Sequence, residues 1–162
     1  MKGALILLLI VASTGRARAS GIDVFAARCS PCHQPGGQGV PGAYPPLKDS
    51  VGAYVRLPEG RTYLVHVVTF GMTGTIAAQG KTYNGFMQPW TQLSDADIAD
   101  VLNHILLDLN AALLPTSFVR FTATEVNTLR AKHLSFDEVH GERETMMKTL
   151  AANPAAPDEA HR

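Results

Sequence analysis

Apolar residues recur every three or four positions in several stretches of the chain, a spacing typical of amphipathic helices. The clearest stretch spans residues 95–110, where Ser94 can act as the N-cap and two aspartates lie in the first turn. Its apolar positions are Ile98, Val101, Leu102, Ile105 and Leu109. Shorter patterns predict helices at 22–28 and 61–70. The pattern as a whole therefore predicts a fold built from helices.

Beyond this region, a near-repeat predicts two further short helices, at 123–132 and 136–150. Each is preceded by an S/T-x-x-E capping box. The boxes are Thr122 with Glu125 and Ser135 with Glu138. The apolar stripes of both helices are narrow and need a cover, so we favour a helical hairpin packed on the core over an arm that docks a partner. Residues 151–162, with prolines and charged ends, are expected to form a frayed tail.

The N-terminus has the order of a secretory leader. Lys2 precedes an apolar stretch at residues 4–12, and the small-residue sequence Ala17-Arg18-Ala19 follows it. A membrane-spanning helix needs about 20 apolar residues, and this stretch is less than half that length. We therefore favour cleavage after Ala19 over an uncleaved anchor, which predicts a periplasmic protein with no stable membrane insertion.

Composition and charge remove several classes of function. The chain has 162 residues, 46% of them hydrophobic, with a mean hydropathy of +0.03, which favours one compact domain over disorder or a bundle of membrane spans. Lys and Arg number 14, and Asp and Glu also number 14. Because no basic excess is present to neutralise phosphates, we expect no nucleic-acid partner.

The chain has two cysteines, and both lie in the sequence Cys29-Ser30-Pro31-Cys32-His33. C-x-x-C-H is the attachment motif of c-type haem. Thiols at this spacing project to the same side of one helical turn, where each can join one vinyl group of a porphyrin. His33 can then offer its neutral imidazole to the iron. The motif predicts one covalent haem c held by Cys29, Cys32 and His33.

Three other chemistries compete for the same motif. A zinc site needs four N or S ligands, and no further cysteine follows Cys32. A thioredoxin-like pair would follow a strand and open a helix, whereas glycine-rich sequence follows here. A disulfide between Cys29 and Cys32 would close a loop too small to stabilise the chain much. Haem attachment is the interpretation that we favour.

The order of segments across residues 21–110 resembles the small class I c-type cytochromes of bacteria. The haem motif is followed by a glycine-rich loop at 36–47, a mid-chain helix, the segment 83–90 and the helix at 95–110. The resemblance implies an all-α, cytochrome c-like domain wrapped around the haem. It also implies that the carbonyl of Pro45 accepts a hydrogen bond from His33 and that Leu47 packs on the haem face.

The sixth iron ligand decides what kind of haem protein this is, because methionine opposite histidine favours electron transfer. Met87 lies in a predicted loop with glycine before it and proline after it, and we favour it over its rival Met72. In the family that the chain resembles, the residue after the ligand is more often proline than the Gln88 found here, so the resemblance does not define the exact geometry of this loop. His66 and His104 lie in predicted helices among aliphatic residues, where a histidine usually has partners within the protein or faces solvent, so we favour neither as a ligand.

Together these features predict a periplasmic electron carrier, not an enzyme, with His33 and Met87 as axial ligands. Redox proteins would dock briefly on it. One alternative is a cytochrome subunit of a periplasmic dehydrogenase complex, bound tightly through the C-terminal extension. Another is a five-coordinate haem that binds gases or carries out catalysis. The expected organisation is a leader at 1–19, a cytochrome c domain at 20–110, a helical extension at 111–150 and a flexible tail at 151–162.

Overall fold

The first helical region carries the cysteine motif. The structure is a computed structural model that describes residues 19–154. Helix α1, Gly21–Val24, runs into a π-helical turn, Phe25–Cys29, and then into α2, Ser30–His33. Ser20 caps α1 through a complete capping box with Asp23. The helix predicted at 22–28 therefore extends through the whole motif, with the kind of π-helical turn that is frequent at functional sites.

Two predictions fall on residues that the structure does not describe. The predicted leader, apart from Ala19, lies outside the described residues, as do residues 155–162 of the predicted tail. Residue 154 is the last one described. No helix within residues 19–154 is both long enough and apolar enough to cross a membrane.

The mid-chain helix forms the centre of the core. A short 3-10 helix, Gly52–Arg56, leads into α3, Pro58–Phe70, which begins with proline at its first position. Proline is favoured there because its missing N–H would have no partner in the helix. Nearly every residue from the middle of α3 onward is buried. α3 ends at Gly71, whose positive φ of 74° allows the chain to turn sharply.

The expectation of an all-α fold is wrong for the segment after α3, which was predicted as loops around two methionines. Strands β1, Met72–Ala78, and β2, Lys81–Met87, form an antiparallel hairpin. Gln79 and Gly80 make its two-residue turn, both with positive φ. Such a turn matches the twist of the paired strands. The segment is rich in threonine and aromatic residues, which favour strands over helices.

Helix α4, Asp95–Leu109, agrees closely with the helix predicted at 95–110. Ser94 and Asp97 form its capping box. The helix buries its apolar face and crosses α1 at Gly21, where the backbone of Asp100 lies so close that a side chain would not fit. A short 3-10 helix, Ala111–Leu113, follows α4.

The last two helices, α5 at Ala123–Leu129 and α6 at Phe136–Ala152, pack on the core. Val126, Val139 and Met146 are fully buried in the same apolar cluster as α3 and α4. α6 also lies against β1. The chain's own core therefore covers most of the narrow apolar stripes of these helices, while Phe136 at the start of α6 is exposed.

Polar contacts also fasten the C-terminal extension to the core. Arg61 makes two hydrogen bonds of 2.8 Å to the carboxylate of Glu125. The carboxylate of Glu125 thus faces α3 and does not complete the capping box predicted with Thr122, whose hydroxyl still accepts from the Glu125 N–H. Buried Asn103 of α4 exchanges two hydrogen bonds with the backbone of Phe121. Such buried pairs fix where the extension lies on the core.

Candidate haem site

A cavity of about 280 Å³ opens beside the cysteine motif. Its wall combines α2, the following loop, α3, the hairpin, α4 and one residue of α6. Most of the lining is aliphatic or aromatic, as expected for a site that takes a large apolar ligand. Cys29, Cys32 and His33 all contribute to this wall.

The two cysteines are free thiols, each partly buried on one turn of helix. Burial and, to a smaller extent, the nearby Cys32 together raise the pKa of the Cys29 thiol to about 12. The Cys29 sulfur is therefore protonated at neutral pH.

His33 is held in one orientation by the loop that follows it. Its Nδ1 lies 2.8 Å from the carbonyl oxygen of Pro45. Burial lowers the pKa of His33, and the Pro45 carbonyl opposes this change. A neutral ring that donates Nδ1–H to Pro45 keeps the lone pair of Nε2 available, which is the arrangement of a metal-ligating histidine.

The loop between His33 and α3 is folded tightly back on itself. Gly37 and Gly39 have positive φ, and a side chain at Gly39 would collide with Pro45. The N–H of Leu47 donates to the carbonyl of Gly37 over 2.7 Å. Leu47 lies in the cavity wall and is partly buried against the core.

Asn110 fixes the end of this loop, and the sequence pattern did not single it out. It is fully buried at the C-terminus of α4. Its Oδ1 accepts from three backbone N–H groups, those of Ser50, Val51 and Gly52, at 3.0 to 3.1 Å. Its Nδ2 donates to the carbonyls of Leu47 and Ile105, each at 2.9 Å. The oxygen and the nitrogen of the side-chain amide are thus both engaged in hydrogen bonds to the backbone.

The two candidate methionines lie side by side. Met72 and Met87 are direct partners in the register of the hairpin, and both line the cavity. Met87 was predicted in a loop but is the last residue of β2, because the hairpin extends further than the glycine and proline around it indicated. The Tyr63 hydroxyl lies 3.8 Å from the Met72 sulfur, within reach of a weak hydrogen bond.

Neither of the other candidate histidines lines the cavity. His66 faces the carboxylate of Glu142 at 2.8 Å through Nδ1 and the carbonyl of Leu129 at 2.8 Å through Nε2. His104 pairs with Asp108 on the surface of α4. Both are explained by contacts within the protein.

Two further cavity residues were not anticipated from the sequence. Tyr63 of α3 and Arg143 of α6 are both buried and line the cavity. Tyr63 lies within the helix predicted at 61–70. Arg143 lies between Val139 and Met146 at helical spacing, within an otherwise apolar stripe. A charged residue inside an apolar stripe is a signal that sequence alone can give.

The residues around the cavity fit haem c and do not fit zinc. No group of three or more His, Cys, Asp or Glu side chains able to hold a metal ion occurs within residues 19–154. Two thiols, a neutral imidazole and methionine sulfur on one mainly apolar wall instead match the groups that attach and ligate a haem. The fold and the site define a small, mainly helical haem protein of the c type.

The chain belongs to the cytochrome c family. The family model for cytochrome c matches residues 19–107. One protein named cytochrome c-552, from Thermus thermophilus, is 41% identical over 146 residues, which cover 90% of this chain and 98% of that protein. Another cytochrome c-552 from Thermus thermophilus is 43% identical over 129 residues, covering 80% of this chain and 98% of its own length. The family supports covalently bound haem c and electron transfer with redox partners.

Proposed function

We propose that this chain is a periplasmic carrier of single electrons with one haem c, ligated by His33 and Met87. The observation that carries the proposal is the arrangement of His33. This residue follows the two thiols, is fixed by the Pro45 carbonyl, and shares one apolar cavity with methionine sulfur. When bound, the haem supplies an iron that accepts and releases one electron.

Each protein group has a defined task in this proposal. Cys29 and Cys32 would hold the haem through two thioether bonds, one from each thiol. His33 would offer Nε2 to the iron, while the Pro45 carbonyl holds the orientation of its ring. Leu47 and the other apolar wall residues exclude water from the cavity, which helps to set the reduction potential.

The choice of Met87 over Met72 rests on how each sulfur is engaged. The sulfur of Met72 has the Tyr63 hydroxyl beside it, and the side chain is buried. Met87 is only partly buried, and its sulfur has no hydrogen-bond partner among residues 19–154. These contacts favour Met87 as the sulfur that would bind iron.

Replacing Met87 by alanine should abolish the far-red band that sulfur-to-iron ligation gives the ferric protein. The reduced variant should then bind carbon monoxide readily at neutral pH, because one axial position is open. Absorption spectra of the ferric and carbon monoxide-treated ferrous proteins measure both effects. Met72→Ala is the matched control and should retain the band. Loss of the band in Met72→Ala, with retention in Met87→Ala, would reverse the assignment.

The periplasmic location is supported by the leader pattern at residues 1–19, with cleavage after Ala19. A free carrier is favoured over a subunit held by the C-terminal extension, because the buried side chains of α5 and α6 already pack on the chain's own core. Encounters with redox partners would then be brief and involve a small interface.

A further inference from the structure

The last helix brings a buried cation to the cavity. Arg143 is 6% exposed and lines the cavity wall. Its Nη2 donates to the carbonyl oxygen of Ala77 over 2.7 Å. No carboxylate forms an ion pair with it among residues 19–154, and the neighbouring Glu142 pairs with His66 instead. Arginine is almost never buried to this extent without an anionic partner.

The other groups beside Arg143 do not supply the missing negative charge. Burial raises the pKa of Tyr63 above its usual range, and both the Arg143 charge and a side-chain hydrogen bond between the two residues oppose this rise without cancelling it. Tyr63 is therefore a neutral phenol at neutral pH, with its hydroxyl facing the Met72 sulfur. The Ala77 carbonyl accepts one hydrogen bond and carries no charge. A guanidinium has five N–H donors, so several remain for a ligand.

We propose that Arg143 binds a propionate carboxylate of the haem. This inference rests on the haem binding proposed above. Haem brings propionate carboxylates into a cavity that otherwise offers a buried, uncompensated cation. The planar fork of a guanidinium matches a carboxylate in geometry and charge. The assignment gives the C-terminal extension a direct part in holding the cofactor, although Arg143 lies outside residues 19–107 that match the family.

The test compares reduction potentials of three variants that carry covalent haem. Arg143→Gln should lower the equilibrium constant for reduction about tenfold, which is about 59 mV for one electron, because an uncompensated propionate favours the ferric iron. Arg143→Lys retains the positive charge, so its equilibrium constant for reduction should return most of the way to that of the wild type. Lys148→Gln removes the same charge from an exposed position on the same helix and should leave the potential close to that of the wild type.

A second readout separates propionate binding from a general effect on the fold. The infrared difference spectrum between oxidised and reduced protein reports the carboxylate stretch, which should move in Arg143→Gln and stay in place in Lys148→Gln. If Arg143→Gln does not fold, the folded Arg143→Lys must still show a moved band, because a point charge replaces the two-pronged contact. Potentials and bands equal to those of Lys148→Gln would overturn the inference. The haem content of each sample is measured separately. A wild-type protein without haem would overturn the proposed function, and not only this inference.

Discussion

Replacing Asn110 by alanine is expected to lower the free energy of unfolding by about 4 kcal/mol. The side chain is fully buried and makes five hydrogen bonds to the backbone. Alanine would leave three N–H groups and two carbonyls without their partner, and buried polar groups without partners are costly. Urea denaturation of the haem-containing protein, followed by circular dichroism, measures the change.

The loop that Asn110 holds leads directly to the site, so this variant should also loosen the loop around Leu47. Asn127→Ala is a suitable control, since that side chain is exposed and makes one hydrogen bond, to Asp95. Its effect should stay within about 0.5 kcal/mol. Equal stabilities for the two variants would show that Asn110 does not fix the loop.

A chain that cannot attach haem is expected to lose its cooperative fold. Serine in place of both Cys29 and Cys32 removes the thiols, and the cavity of about 280 Å³ then has no covalently held occupant. At roughly 24 cal/mol per Å³ of empty cavity, the loss is about 7 kcal/mol. The whole stability of a domain is about 5–15 kcal/mol, so the apoprotein should be marginal or unfolded.

Far-ultraviolet circular dichroism and thermal melting of this double variant, produced without added haem, measure the outcome. Ser30→Ala is the matched control, because it alters the same segment and leaves both thiols and His33 in place. The control should carry haem and melt in one sharp transition. A double variant with the helicity and sharp melting of the control would contradict the expected dependence on haem.

The helices could be predicted from sequence because their signals are local. Ser94, the aspartates after it and the apolar spacing of the next residues predict a helix at 95–110, and the structure has α4 at Asp95–Leu109. The Cys-x-x-Cys-His turn is equally local, since thiol spacing and helix geometry are read from five consecutive residues.

The hairpin could not be predicted in the same way. Its alternation is weak because glycines interrupt it, and its turn is Gln79-Gly80 in place of the Asn-Gly that marks hairpins most clearly. The two methionines seemed to lie in separate loops. Only pairing of the strands places Met72 directly opposite Met87.

The remaining site residues depend on contacts between distant parts of the chain. Asn110 looks like an ordinary helix end until the loop at 50–52 folds onto it. Arg143 becomes a cavity residue only because α6 packs against β1. Such positions follow from the tertiary fold, and no local pattern specifies their partners.

The central claim is that one haem is bound through two thioether bonds at Cys29 and Cys32. The most direct measurement is the mass of the denatured protein after acid–acetone extraction, purified from a host that exports and matures c-type cytochromes. The extracted chain is expected to be coloured, with a mass that exceeds that of the polypeptide by one haem. A colourless chain with the mass of the polypeptide alone would contradict the central claim.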